Sequence, residues 1–104
     1  MTESVKSALD KYVDFISKQE GVLQIYLFGS CAAGKTHERS DIDLMVIVDD
    51  AKKPGNIAVQ ISKGLAHRDV PLDVLVNRKT TFHKAAEELT IQNKIKNTGV
   101  LLYG

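Results

Sequence analysis

Two almost wholly apolar runs, Val22 to Phe28 (VLQIYLF) and Ile42 to Val48 (IDLMVIV), stand close together in the chain. Their length and content read as β-strands covered on both faces. The segment between them begins Gly29-Ser30 and ends at Asp41. A short helical turn fits at Ser30–Ala33, but the residues from Thr36 to Ser40 (THERS) carry no apolar face. A parallel return needs a crossover of about a dozen residues, usually a packed helix. The five residues after Lys35 thus offer no packed helix for such a return.

That constraint decides between two readings of one glycine stretch. Gly29-Ser-Cys-Ala-Ala-Gly34-Lys35-Thr36 spells G-x-x-x-x-G-K-[ST], the phosphate loop of nucleotide hydrolases. Such a loop opens a full helix whose N-terminus sits under the phosphates. Only five residues separate Lys35 from Asp41, so there is no room for that helix.

The other reading rests on carboxylates. Asp41 and Asp43 are two apart in a strand, so they share a face. With ten residues between Ser30 and Asp41 the pattern is G-S-x10-D-x-D. Magnesium prefers oxygen and is typically held by one or two carboxylates plus substrate phosphates. A glycine lets a phosphate approach the backbone, and N–H groups and the Ser30 hydroxyl can donate to its oxygens. A third carboxylate, Asp73, interrupts the run Val70–Val76 (VPLDVLV). Burial there is costly unless it is paired or metal-bound. If that strand neighbours the second, the three aspartates form a constellation suited to phosphoryl or nucleotidyl transfer.

The remaining elements follow from periodicity. Val5, Ala8, Leu9, Tyr12, Val13 and Ile16 fall on one face of a helix over residues 3–19, with Thr2 or Ser4 as cap and Gly21 as stop. A second helix spans about Asn56–His67, and a strand Val70–Val76. Phe82–Asn97 is helical in tendency, but its apolar phase slips near Thr90, which predicts a bend or two short helices. Val100–Tyr103 reads as a short final strand or docked tail. The order α-β-(turn)-β-α-β-α gives a single domain of α/β or α+β class over residues 1–104.

Charge and cysteine usage remove several function classes. Net charge is +1, with 14 basic and 13 acidic residues, which gives no drive toward nucleic acid or an anionic membrane. No apolar run approaches the ~18 residues of a membrane span. The single cysteine, Cys31, excludes an internal disulfide and fits a reducing cytoplasm. It reads as an incidental small residue of the turn. His37, His67 and His83 are not spaced as a metal cluster and read as surface or rim positions. Lys35 and Arg39 lie on the loop beside the aspartates, where they can meet phosphates or only solvent.

L-F-G-S-x10-S-D-I-D-L, an apolar strand, and a lone aspartate in a later strand resemble the minimal nucleotidyltransferases of the polymerase-β-like superfamily. The tail GVLLYG is similar to tails in that group. The resemblance implies a small mixed sheet flanked by helices. It implies that Gly29 and Ser30, with Lys35 and Ser40, bind a nucleoside triphosphate, ATP. It implies that Asp41 and Asp43 carry Mg²⁺, with Asp73 as third ligand and as base or orienter of the attacking hydroxyl. Relatives often carry a basic residue where this chain has Ala33, and Arg or Tyr where it has Cys31.

Larger members add a domain that holds the acceptor, and 104 residues leave no room for one. The acceptor then comes from another molecule or a second copy of the chain. Small stand-alone members resemble antitoxins encoded beside a HEPN-type ribonuclease, some of which attach AMP to a tyrosine of that toxin. The expected activity is therefore Mg²⁺-dependent adenylylation of a partner protein. Two alternatives stand beside it: an antitoxin that acts by contact alone, and half of a small-molecule nucleotidyltransferase.

Overall fold

The computed structural model describes residues 2–34, 41–67 and 70–104. Helix α1 (Glu3–Ser17) starts where Thr2 Oγ1 accepts the Val5 N–H at 3.3 Å, and Glu3 sits in its positive first turn. It stops two residues short of the expected end, and Gly21, at φ +89°, turns the chain into β1 (Val22–Phe28). Then come β2 (Ile42–Val48), α2 (Pro54–Gly64), β3 (Leu72–Arg78), α3 (Lys79–Ala85), α4 (Ile91–Thr98) and β4 (Val100–Tyr103).

Among the described residues the strands form one mixed sheet in the order β3-β2-β1-β4. β1 is antiparallel to both β2 and β4, while β3 runs parallel to β2 after the α2 crossover. The antiparallel β1–β2 pairing removes the phosphate-loop reading, which requires a parallel return. β2 is the centre: every residue from Ile42 to Val48 except Asp43 is buried.

Alternation along β1 and β2 separates two cores. Ile25, Leu27, Leu44 and Val46 meet α1 and α2 through Tyr12, Ile16, Ile57 and Ile61. Met45 and Ile47 meet Phe82 of α3 and Ile95 of α4, with Tyr26 and Phe28 packed beside them. This second face is only partly covered. Tyr26 and Phe28 are half-buried, so β1 departs from the expectation of two closed faces. β3 departs further. It begins at Leu72, not Val70, and it lies at the sheet edge with Asp73 and Leu75 exposed. The burial penalty inferred for Asp73 therefore does not apply.

The expected break near Thr90 is real and has a clear cause. Thr90 Oγ1 accepts the Asn93 N–H at 3.1 Å, capping α4, and donates to the Ala85 carbonyl at 2.6 Å, closing α3. Asp50 accepts from both the N–H and the hydroxyl of Thr80, tying the segment after β2 to the start of α3. On the other face the buried Tyr12 hydroxyl donates to the Val70 carbonyl at 2.6 Å and accepts the Val70 N–H at 3.3 Å.

Candidate active site

Three strands bring three residues into a row. Phe28 at the end of β1 pairs with Asp43, and Asp43 pairs with Asp73. Parallel register puts the two carboxylates on the same face of the sheet, and Asp41, two residues before Asp43, faces the same way. Asp43 is half-buried; Asp41 and Asp73 are exposed. The Asp43 carboxyl keeps its proton above the usual aspartate range. Burial contributes most, followed by the charges of Asp73 and Asp41 and a side-chain hydrogen bond with Asp73.

The turn after β1 presses on this pair. Gly29 adopts φ +76°, and a Cβ built there would overlap Asp43 Oδ2. Only glycine allows that approach. The Ala33 N–H closes the turn onto the Gly29 carbonyl at 3.2 Å. Cys31, expected to be incidental, is buried, and its Sγ donates to the Asp41 carbonyl at 3.3 Å. It fastens the turn to the start of β2. Burial, then the Asp43 charge, push its thiol above the ordinary range, the reverse of an activated nucleophile.

Beside the turn a cleft of about 920 Å³ opens toward α4. Phe28, Ala32 and Ala33 form one wall and Ile91, Lys94 and Ile95 the other. Ser30, exposed, stands at its edge with Gly29. The sequence reading did not anticipate the α4 wall. Its signal was present, since Ile91, Lys94, Ile95 and Thr98 fall at helical spacing on one face.

Of the expected site residues, the structure brings together Gly29, Asp43 and Asp73, with Ser30 next along the turn and Asp41 within electrostatic reach. Lys35 and Ser40, like His37, Arg39 and Arg68, lie outside the described residues. His67 is exposed, and His83 sets its ring edge against Phe82 at 5.6 Å. Among the described residues no three His, Cys, Asp or Glu side chains are spaced to enclose a metal ion. A cation held by two carboxylates and a ligand's phosphates is a different demand. The like-charge crowding at Asp43 is the kind of site a divalent cation relieves, so the donor set fits magnesium on those terms.

The sequence model of the family described as Polymerase beta, Nucleotidyltransferase matches residues 10–104. Among solved structures the chain is similar to a candidate nucleotidyltransferase from Sulfolobus solfataricus, with TM-score 0.60 and 17% identity over 97% of this chain and 86% of that one. It is also similar to a toxin-antitoxin structure with AMP-PNP, with TM-score 0.53 and 20% identity over 99% of this chain and 74% of that one. A variant of the toxin-antitoxin pair MntA-HpeT gives TM-score 0.50 and 21% identity over 95% of this chain and 72% of that one. At these identities the likeness is one of fold. No curated protein matches the chain in sequence.

Proposed function

The chain belongs to the polymerase β nucleotidyltransferase family, and from that premise we propose that it moves AMP from ATP to a hydroxyl of a partner protein, the toxin of a toxin-antitoxin pair. The observation that carries the reading is the Asp43–Asp73 register beside the Gly29-Ser30 turn. It puts two carboxylates next to a backbone that a phosphate can approach. The fold likeness to toxin-antitoxin structures, one of them with AMP-PNP, supports the partner class. The resemblance to small stand-alone members of the family suggests a HEPN-type ribonuclease as that toxin and a tyrosine as acceptor.

In this reaction an acceptor oxygen forms a bond to the α-phosphorus, the bond from that phosphorus to the bridging oxygen breaks, and pyrophosphate leaves. The acceptor proton passes to a carboxylate. Asp73 is suited to receive it, being exposed on the edge strand where a partner's side chain can arrive. Asp43, half-buried against Gly29, is fixed in place and serves as the anchor. The Ser30 hydroxyl donates to phosphate oxygens at the mouth of the turn. Asp43 and Asp73, with Asp41 beside them, would hold Mg²⁺, which when bound neutralises phosphate charge as it develops.

The test is incubation of the chain with labelled ATP, Mg²⁺ and its co-purified partner. Label on a partner hydroxyl, lost in Asp43→Asn and Asp73→Asn, is the expected result. A partner that stays unlabelled, yet is silenced equally by wild type and Asp43→Asn, would sink the catalytic reading in favour of neutralisation by contact.

A further inference from the structure

We infer that Lys94, on α4, is a cation that anchors the phosphates of the bound nucleotide, and that the cleft between α4 and the Gly29–Ala33 turn holds the rest of that molecule. This rests on the nucleotidyl-transfer reading and adds to it the wall opposite the turn. Three observations converge. The turn residues from Gly29 to Gly34 (GSCAAG) bring hydroxyl and backbone donors but no charge. The cleft they border has one charged lining residue among those described, Lys94, and its other walls are largely apolar. Lys94 forms no ion pair among the described residues, so its charge is uncommitted.

That combination selects a ligand with a flat apolar part and an anionic part. Phe28, half-buried, and Ile91, exposed, offer surface to a base over the buried Ile95, and Ser30 and Lys94 offer donors to phosphate oxygens. Continuity with the chemistry comes from Gly29, which lines the cleft on one side and lies against the Asp43 carboxylate on the other. A nucleotide seated in the cleft thus passes its phosphates over Gly29 to the carboxylate pair. Thr90 holds the arrangement, because its cap sets where α4 begins and so where Lys94, one turn later, projects.

The experiment is calorimetric titration of the full chain, without partner, using Mg²⁺-ATP, Mg²⁺-ADP, AMP and adenosine. Wild type is compared with Lys94→Ala, Lys94→Arg and Asp43→Asn. Lys94 is exposed, so its removal leaves the core intact, which circular dichroism verifies. A charge-assisted contact predicts that Lys94→Ala lowers ATP affinity on the order of tenfold and adenosine affinity less than about twofold, with Lys94→Arg recovering most of the loss. If Lys94→Ala binds ATP like wild type while Asp43→Asn loses the magnesium dependence, the inference fails and the transfer reading stands. If Lys94→Ala weakens adenosine as much as ATP, Lys94 is no phosphate anchor and the inference also fails. Absence of any nucleotide binding by wild type would overturn both.

Discussion

Asp43 and Asp73 stand opposite each other on adjacent parallel strands, and Asp43, the more buried of the two, keeps its proton above the usual aspartate range. A group whose pKa is raised by folding stabilises the protein below its unfolded value and loses that contribution as pH climbs through the raised value. The ligand-free protein is therefore strained by this pair at neutral pH and relaxed in acid. Asp43→Asn removes the crowding and keeps the shape. Its stability at pH 7 is expected above that of wild type by no more than about 1 kcal/mol after allowance for solvent screening, read as a higher melting temperature. The difference should shrink as pH falls through the raised Asp43 value and vanish only below the ordinary aspartate range. A variant less stable than wild type at pH 7 would contradict the crowding.

The same strain is available to a cation. Magnesium with ATP should raise the melting temperature of wild type, and should do so less in Asp43→Asn and Asp73→Asn. The affinity of the free chain for Mg²⁺ should fall as pH drops through the raised Asp43 value, because the proton competes with the metal for the carboxylate. A pH profile flat through the acid range would separate Asp43 from the metal.

Gly29 and Gly34 make a controlled comparison. Both have positive φ, +76° and +74°. A Cβ at Gly29 overlaps the Asp43 carboxylate, while one at Gly34 meets nothing within 4 Å. Each alanine substitution costs about 1–2 kcal/mol for the backbone alone. Gly29→Ala should exceed that in denaturant titration and lower transfer at least about tenfold, since the carboxylate must move. Gly34→Ala should leave transfer within a few-fold. Equal effects at the two positions would mean that the Asp43 contact is unimportant.

Thr90 caps one helix and closes another with the same hydroxyl. Thr90→Ala should cost about 1–2 kcal/mol and weaken nucleotide binding through the α4 wall, and Thr90→Ser should restore both. Binding unchanged in Thr90→Ala would detach α4 from the ligand.

What could be read beforehand followed from local chemistry. β2 declared itself because seven consecutive residues are apolar apart from Asp43, and its ends fall where expected. The division of residues 82–97 was legible as a phase slip, since an apolar stripe that changes face cannot stay on one core. The aliphatic neighbours of Asp73 suggest burial, but β3 is an edge strand and Asp73 is exposed. Strand order comes from which elements pair, and the run VPLDVLV carries no mark of it. The place of Lys94 is not legible locally, because no short pattern measures the gap between a turn at residue 30 and a helix sixty-odd positions later. Cys31 looked incidental since a lone thiol in a polar loop gives no hint of the carbonyl that it finds.

The phenol of Tyr12 has a reach that its place in the first helix conceals. It clasps both the backbone N–H and the carbonyl of Val70, 58 residues downstream, two positions before β3 begins. Those two bonds fix the point from which β3 starts to count, and a slip of one residue would turn Asp73 to the opposite side of the sheet. α1 contributes no group to the chemistry, yet it works as the stop against which the spacing of two acids is gauged. Whatever loosens α1 would thus be felt at the carboxylates as well as in the core that its buried face fills.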